Sequence, residues 1–119
     1  MCTLAVLHRC TAEADLWIAA NRDEYLERGS EMPRVRVGRA GPVVTPLDRR
    51  AGGTWWGVNR HGVFAALTNR PTAALDPARR SRGQLVLDAL EAHSAELAAE
   101  SAARTGPDLY NPFNLLLNR

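Results

Sequence analysis

The sequence predicts an α+β domain assembled from antiparallel strand pairs. Three observations carry that assignment. Strand-like runs come as neighbours separated by turn residues, helical periodicity is confined to one block at 81–104, and a further apolar strand follows it, so strands and helices do not alternate in βαβ order.

The first pair is CTLAVLHR at 2–9 and LWIAANR at 16–22, joined by the turn-like TAEAD. DEYLERGSEMP is polar and is predicted to leave the sheet. Residues 33–51, rich in Pro and Gly, are predicted to form a long surface connection, with VVT as a short strand within it. The second pair is TWWGVN and GVFAALTN, a hairpin whose turn, Asn59 to Gly62, ends on a glycine suited to a left-handed backbone. Gly52-Gly53 just before it marks a bend or a close backbone approach. In the helical block Ser81 is the candidate N-cap, and Leu85, Val86, Ala89, Leu90, His93 and Leu97 share one face. His93-Ser94 offers a break, with Ser94 capping a second helix, and Gly106-Pro107 a stop. NPFNLLLNR reads as a last strand, and because it ends while still apolar the chain is expected to be the first part, 1–119, of a longer domain.

The composition narrows the function classes. All fifteen basic residues are Arg, the formal net charge is only +2, and no Arg run exceeds two, so a nucleic-acid footprint is not expected. The Arg bias, with abundant Ala, is the mark of a GC-rich coding sequence. No apolar run reaches the roughly 18 residues of a membrane helix, and His8 and Arg9 interrupt any secretory core, so a cytoplasmic protein without stable membrane insertion is expected. If residues 2–10 form one strand, the Cα atoms of Cys2 and Cys10 lie roughly 26 Å apart at about 3.3 Å per residue. A disulfide spans at most about 7 Å, so both are read as free thiols.

Cys2 is the foremost candidate for chemistry. Once Met1 is removed, its α-amine, with a pKa of about 7.7–8, can take the proton of its own thiol, and one residue then supplies nucleophile and base. The plain alternative is a small residue that starts a strand. Asn21, Arg22, Asp23 and Glu24 follow the second strand, where Arg22 would favour a thiolate and a carboxylate would hold the amine. In a continuous strand Arg22 and Glu24 share one face and Asn21 and Asp23 the other, so Arg22 and Asp23 face one pocket only if the strand ends or bulges. Asn69 ends the GVFAALTN strand and is either an oxyanion donor or a turn residue before Pro71. Trp17, Trp55 and Trp56 are core or groove wall. His8, His61 and His93 lack metal spacing. Arg79-Arg80-Ser81-Arg82 is a solvated turn, with anion binding as the alternative.

MCTLAV, AANRDEY at 19–25, GGTWWGVNRHGVFAALTNR at 52–70, SRGQLVLDAL at 81–90 and YNPFNLLL at 110–117, in that order, resemble the NRDE family, also called the transport and Golgi organisation 2 family. The resemblance implies an N-terminal-nucleophile-hydrolase-like αββα sandwich of antiparallel sheets, in a chain usually about twice this long. It implies Cys2 as nucleophile, Arg22 and Asp23 as its support and Asn69 as oxyanion donor, with Asn21, Glu24 and Trp55 around the ligand. Related amidohydrolases separate the Arg and Asp by two residues, whereas here they are adjacent, so both Asp23 and Glu24 stay in play. The implied functions are cysteine amidohydrolysis of a small non-peptide amide, carriage of a haem-like ligand without catalysis, or a part in Golgi organisation and secretion. No resident cofactor or metal is implied, and self-association is expected if the chain lacks its sheet partners.

Overall fold

The computed structural model describes residues 2–106 and 108–119. In chain order the elements are β1 (Leu4–His8), β2 (Leu16–Ala20), β3 (Ser30–Gly38), β4 (Gly41–Asp48), β5 (Trp56–Asn59), β6 (Phe64–Asn69), α1 (Gly83–Ala89), α2 (Ala95–Ala103) and β7 (Phe113–Asn118). They form an α+β fold with two antiparallel sheets, a β1–β2 ribbon and a five-stranded sheet of order β3-β4-β5-β6-β7.

The first correction concerns residues 30–48. The predicted surface connection is a long hairpin, and its prolines do not oppose pairing. The register shifts between Glu31 and Arg34, where Met32 and Pro33 lie opposite Pro46. At such a bulge no ladder hydrogen bond is required of a residue without an N–H. Gly38 and Gly41 then close the hairpin around Arg39-Ala40. Val35 and Val37 lie on the outward face of this hairpin, 69% and 99% exposed.

Period-two geometry sorts β6 into two faces. Ala65 and Leu67 join Val86, Ala89, Leu90 and Ala98 in the core under the helices. Phe64, Ala66 and Thr68 turn the other way and meet Leu4, Ile18 and Ala20 of the ribbon across an apolar cavity. The order of layers is therefore helices, five-stranded sheet, ribbon. Val63 and Val86 are fully buried, each worth roughly 1.5–3 kcal/mol. Trp17 is not core: it lies half exposed on the ribbon's outer face, its indole N–H donating to Thr11 Oγ1 at 2.9 Å.

The helical block breaks where it was predicted to, and Ser94 caps α2 by accepting from the Leu97 N–H at 3.2 Å. Ser81 does not cap α1; Arg82 occupies the N-cap position without a side-chain bond. The break also resets the helical phase, so Ala98 enters the core while Leu97 is half exposed and His93 stays at the surface. His93 instead stacks on His61, ring centroids 4.3 Å apart. Helix α2 ends at Ala103, short of the predicted Gly106-Pro107 stop, of which Pro107 lies outside the described residues.

The β5–β6 turn has Gly62 at φ +79°, as its sequence predicts. The Asn59 side chain fixes the turn from both ends. Its Oδ1 accepts from the N–H groups of His61 and Val63 at 2.9 and 3.0 Å, while its Nδ2 donates to the carbonyls of Leu90 and Ala92 at 3.0 and 2.7 Å. That one buried amide joins the hairpin to the junction of the helices. Asn59→Ala should lower the unfolding free energy by about 2–4 kcal/mol, from lost hydrogen bonds and stranded buried groups. Urea denaturation of the variant checks this, and a loss under about 1 kcal/mol would contradict the assignment.

Candidate functional site

Two cavities meet at Cys2. The first, about 300 Å³, lies between ribbon and sheet and is walled by Trp55, Trp56, Phe64, Ala66, Leu4 and Ile18. The second, about 550 Å³ and polar, opens at the end of the sheets and is lined by Arg22, Asp23, Glu24, Arg28, Asp48 and Asn69, with the 75–83 segment opposite. Cys2, Trp55 and Leu67 line both. Cys2 precedes β1 instead of lying within it, and it is a half-buried free thiol; Cys10 is a free, exposed one.

The conflict over strand faces disappears because β2 ends at Ala20. Residues 21–24 are not strand, so alternation does not govern them, and Arg22, Asp23 and Glu24 all line the polar cavity. Asn21 makes the link to the N-terminus. Its Oδ1 accepts from the Thr3 N–H at 2.6 Å, its own N–H donates to the Thr3 carbonyl at 3.1 Å, and its Nδ2 donates to Asp23 Oδ1 at 2.8 Å. Both ends of the amide are engaged within the protein, so Asn21 positions the residues around Cys2. The predicted α-amine chemistry turns on Met1, which lies outside the described residues.

Arg22 lies over the Trp55 ring, 4.5 Å from its centroid, and within 3.9 Å of Glu24 and 3.8 Å of Asp48. Glu24 also pairs with Arg28 at 3.4 Å and accepts from the Tyr25 N–H. Asn69 ends β6, is exposed, and lines the polar cavity. Every predicted site residue thus falls on one of the two cavities.

Sequence reasoning missed Asp48 and Arg28. Asp48 is buried at the end of β4, and the Arg28 guanidinium grips it, Nε lying 3.3 and 3.2 Å from the two carboxylate oxygens and Nη2 2.5 Å from one. Burial opposes the Asp48 charge, but the hydrogen bonds from Arg28 and the Arg50 N–H, with the charges of Arg28 and Arg22, outweigh it and hold the carboxyl below its ordinary pKa. No motif marks Asp48, since its segment was predicted to be a surface connection. Arg82 belongs to the segment read from sequence as a solvated turn, with anion binding as the alternative. It lines the polar cavity, where burial first and then the neighbouring Arg28 charge lower its pKa.

The architecture is that of an α+β pocket protein with a cysteine at the junction of an apolar and an arginine-rich chamber. The chain belongs to the Transport and Golgi organisation 2 family, whose profile matches residues 1–119. It is 36% identical over 104 residues to the "Transport and Golgi organization 2 homolog" of Mus musculus and to the "Transport and Golgi organization protein 2 homolog" of Homo sapiens and of Bos taurus, in each case over 85% of this chain. The matched region spans 37% of the length of those relatives. Among the described residues, no helix is long and apolar enough to cross a membrane.

A carboxylate with a lowered folded pKa stabilises the protein above its unfolded pKa, about 3.9 for Asp, and that contribution is lost as pH falls through the folded value. Thermal melts of wild type and Asp48→Asn should therefore differ most at neutral pH, with the gap narrowing progressively as pH falls below about 4. A gap that stays constant down to pH 2.5 would show that the Asp48 charge is not what holds Arg28.

Proposed function

We propose that this pocket is that of a cysteine amidohydrolase acting on a small non-peptide amide, with Cys2 as nucleophile. The observation that carries the reading is the meeting of Cys2, Arg22, Asp23 and Asn69 at one cavity. The layer order of helices, sheet and ribbon is compatible with an N-terminal-nucleophile αββα sandwich.

The chemistry requires excision of Met1, which frees the α-amine of Cys2. That amine takes the thiol proton, and the thiolate attacks the amide carbonyl to form a C–S bond. Asn69 Nδ2 donates to the oxyanion as it develops, a contribution of about 3 kcal/mol. The C–N bond then breaks, and the leaving nitrogen takes the proton from the α-ammonium. Water, deprotonated by the same amine, attacks the thioester; the C–S bond breaks and a carboxylic acid and the free thiol result. Asp23 holds the α-ammonium, and Arg22, fixed on Trp55, keeps the field at the sulfur positive.

A second reading, carriage of a haem-like ligand, is favoured by the indole and phenyl walls of the apolar chamber lying beside the arginines. Either use would give a small-molecule basis to the transport and Golgi role in the family's name.

Intact mass of the full-length protein, before and after iodoacetamide, tests the first reading. The expected outcome is a chain lacking Met1, alkylated at Cys2 at least about tenfold faster than at Cys10, because a thiolate is the reacting species. Asn69→Ala should leave that alkylation unchanged and cut amide turnover by about a hundredfold or more. Retained Met1, or equal reactivity of the two thiols, would exclude the mechanism. A saturable haemin Soret shift abolished by Arg22→Ala would then favour the second reading.

A further inference from the structure

The arginines of the polar cavity are not equivalent. Arg22 and Arg28 are matched to Asp48 and Glu24, Arg79 to Asp76 and Asp108, and Arg80 to Asp88. Arg50 and Arg82 have no carboxylate within ion-pair distance among the described residues. Arg50 is exposed, and its charge is largely screened by water. Arg82 is half-buried, and among the described residues its guanidinium makes one hydrogen bond, from Nη1 to the Pro112 carbonyl at 2.9 Å, a neutral acceptor. A guanidinium drawn partly out of water without a counter-charge is costly. The rest of its five-donor fork has no acceptor among the described residues, and its shape matches an acidic group.

The second observation is the apolar chamber on the other side of Cys2. Trp56 and Phe64 stack there with centroids 6.3 Å apart, and Ala66 forms the floor. Among the described residues, the chamber is lined by no charged side chain. Pocket chemistry thus changes from apolar to cationic across the cysteine, and Trp55 walls both sides.

We infer that the substrate is an amphipathic acid: an amide whose apolar arm fills the chamber of Trp56 and Phe64 and whose other arm carries an acidic group held by Arg82, the scissile carbonyl lying between them at Cys2. The substrate class rests on the amidohydrolase reading; the binding mode does not. Arg82 is a specificity determinant, since it touches the acid and takes no part in bond breaking.

The test uses N-decanoylglycine and its neutral analogue N-decanoylglycinamide, bound to the full-length Cys2→Ala protein and followed by tryptophan fluorescence. The acid should bind about tenfold or more tighter, as one charge-assisted contact of ~1.5–3 kcal/mol gives. Arg82→Ala in the same background should erase that preference and leave glycinamide affinity within about twofold; Arg82→Lys, which keeps charge and loses the fork, should restore part of it. Affinity should also rise with acyl length from butanoyl until the chamber is full. Equal binding of acid and amide by the parent, or an equal loss for both probes in Arg82→Ala, would overturn the proposal. Acid-selective, Arg82-dependent binding without hydrolysis by the Cys2 protein would retain the binding mode and reject the amidohydrolase reading. Turnover of neutral amides indifferent to Arg82 would do the reverse.

Discussion

The site depends on one buried carboxylate. Asp48 stands at the end of β4 in the five-stranded sheet, accepts from Arg28 and from the Arg50 N–H, and pairs with Arg22 at 3.8 Å. Arg28 and Arg22 belong to the segment that leaves the ribbon, and that segment is tied through Asn21 to Thr3 beside Cys2. A continuous chain of polar contacts therefore runs from the main sheet to Cys2. Removing the Asp48 charge would leave two guanidinium groups paired only to the more exposed Glu24, and partly buried charges without partners are expensive.

This junction explains how six arginines, Arg22, Arg28, Arg50, Arg79, Arg80 and Arg82, line one cavity without driving it open. Most of their charge is spent locally. Four are neutralised by named carboxylates, and Arg22 gains further from the indole face beneath it. Arg79 donates to the Tyr110 carbonyl and Arg80 to the Tyr110 hydroxyl, so these two bind the wall of the cavity to the segment before β7. Fixed guanidinium groups of this kind shape a cavity; the half-buried one without a counter-charge is left to discriminate among ligands.

Much of this was legible in the sequence, and the rest was hidden for identifiable reasons. The β5–β6 hairpin could be read because its turn needs a left-handed residue at Gly62 and its strands are apolar. Gly53 was read as a bend or close approach, and a Cβ there would lie 2.8 Å from the Gly83 backbone. The β3–β4 hairpin was not legible, because its outward valines and in-strand prolines imitate a loop, and only pairing reveals that Pro33 and Pro46 fall in one bulge. The family motifs named residues that share the two cavities. They could not reveal Asp48, whose arginine side-chain partners lie twenty and more positions away in sequence and whose importance comes from burial. The question of faces at Arg22 and Asp23 could not be settled from periodicity either, since it turned on the end of β2 at Ala20.

The placement of Cys2 at the head of the ribbon has a consequence for stability. A two-stranded ribbon is marginal by itself in water, and this one is thinly covered, with Val6, Leu7 and Trp17 at 40%, 45% and 50% exposure. Its inner face borders a cavity instead of close-packed side chains, so dispersion contacts that would ordinarily hold it are missing. At one end the Thr3–Asn21 pairing closes the ribbon, and the charged junction at Asp48 ties the segment after β2 to the main sheet. The five-stranded sheet and its helices share a continuous apolar core that does not include the ribbon. Local opening should therefore begin in the ribbon and leave that core intact. A ligand spanning both chambers would add the missing contacts, so binding and ordering of the ribbon would be linked: whatever fills the cavity also fixes the position of the thiol.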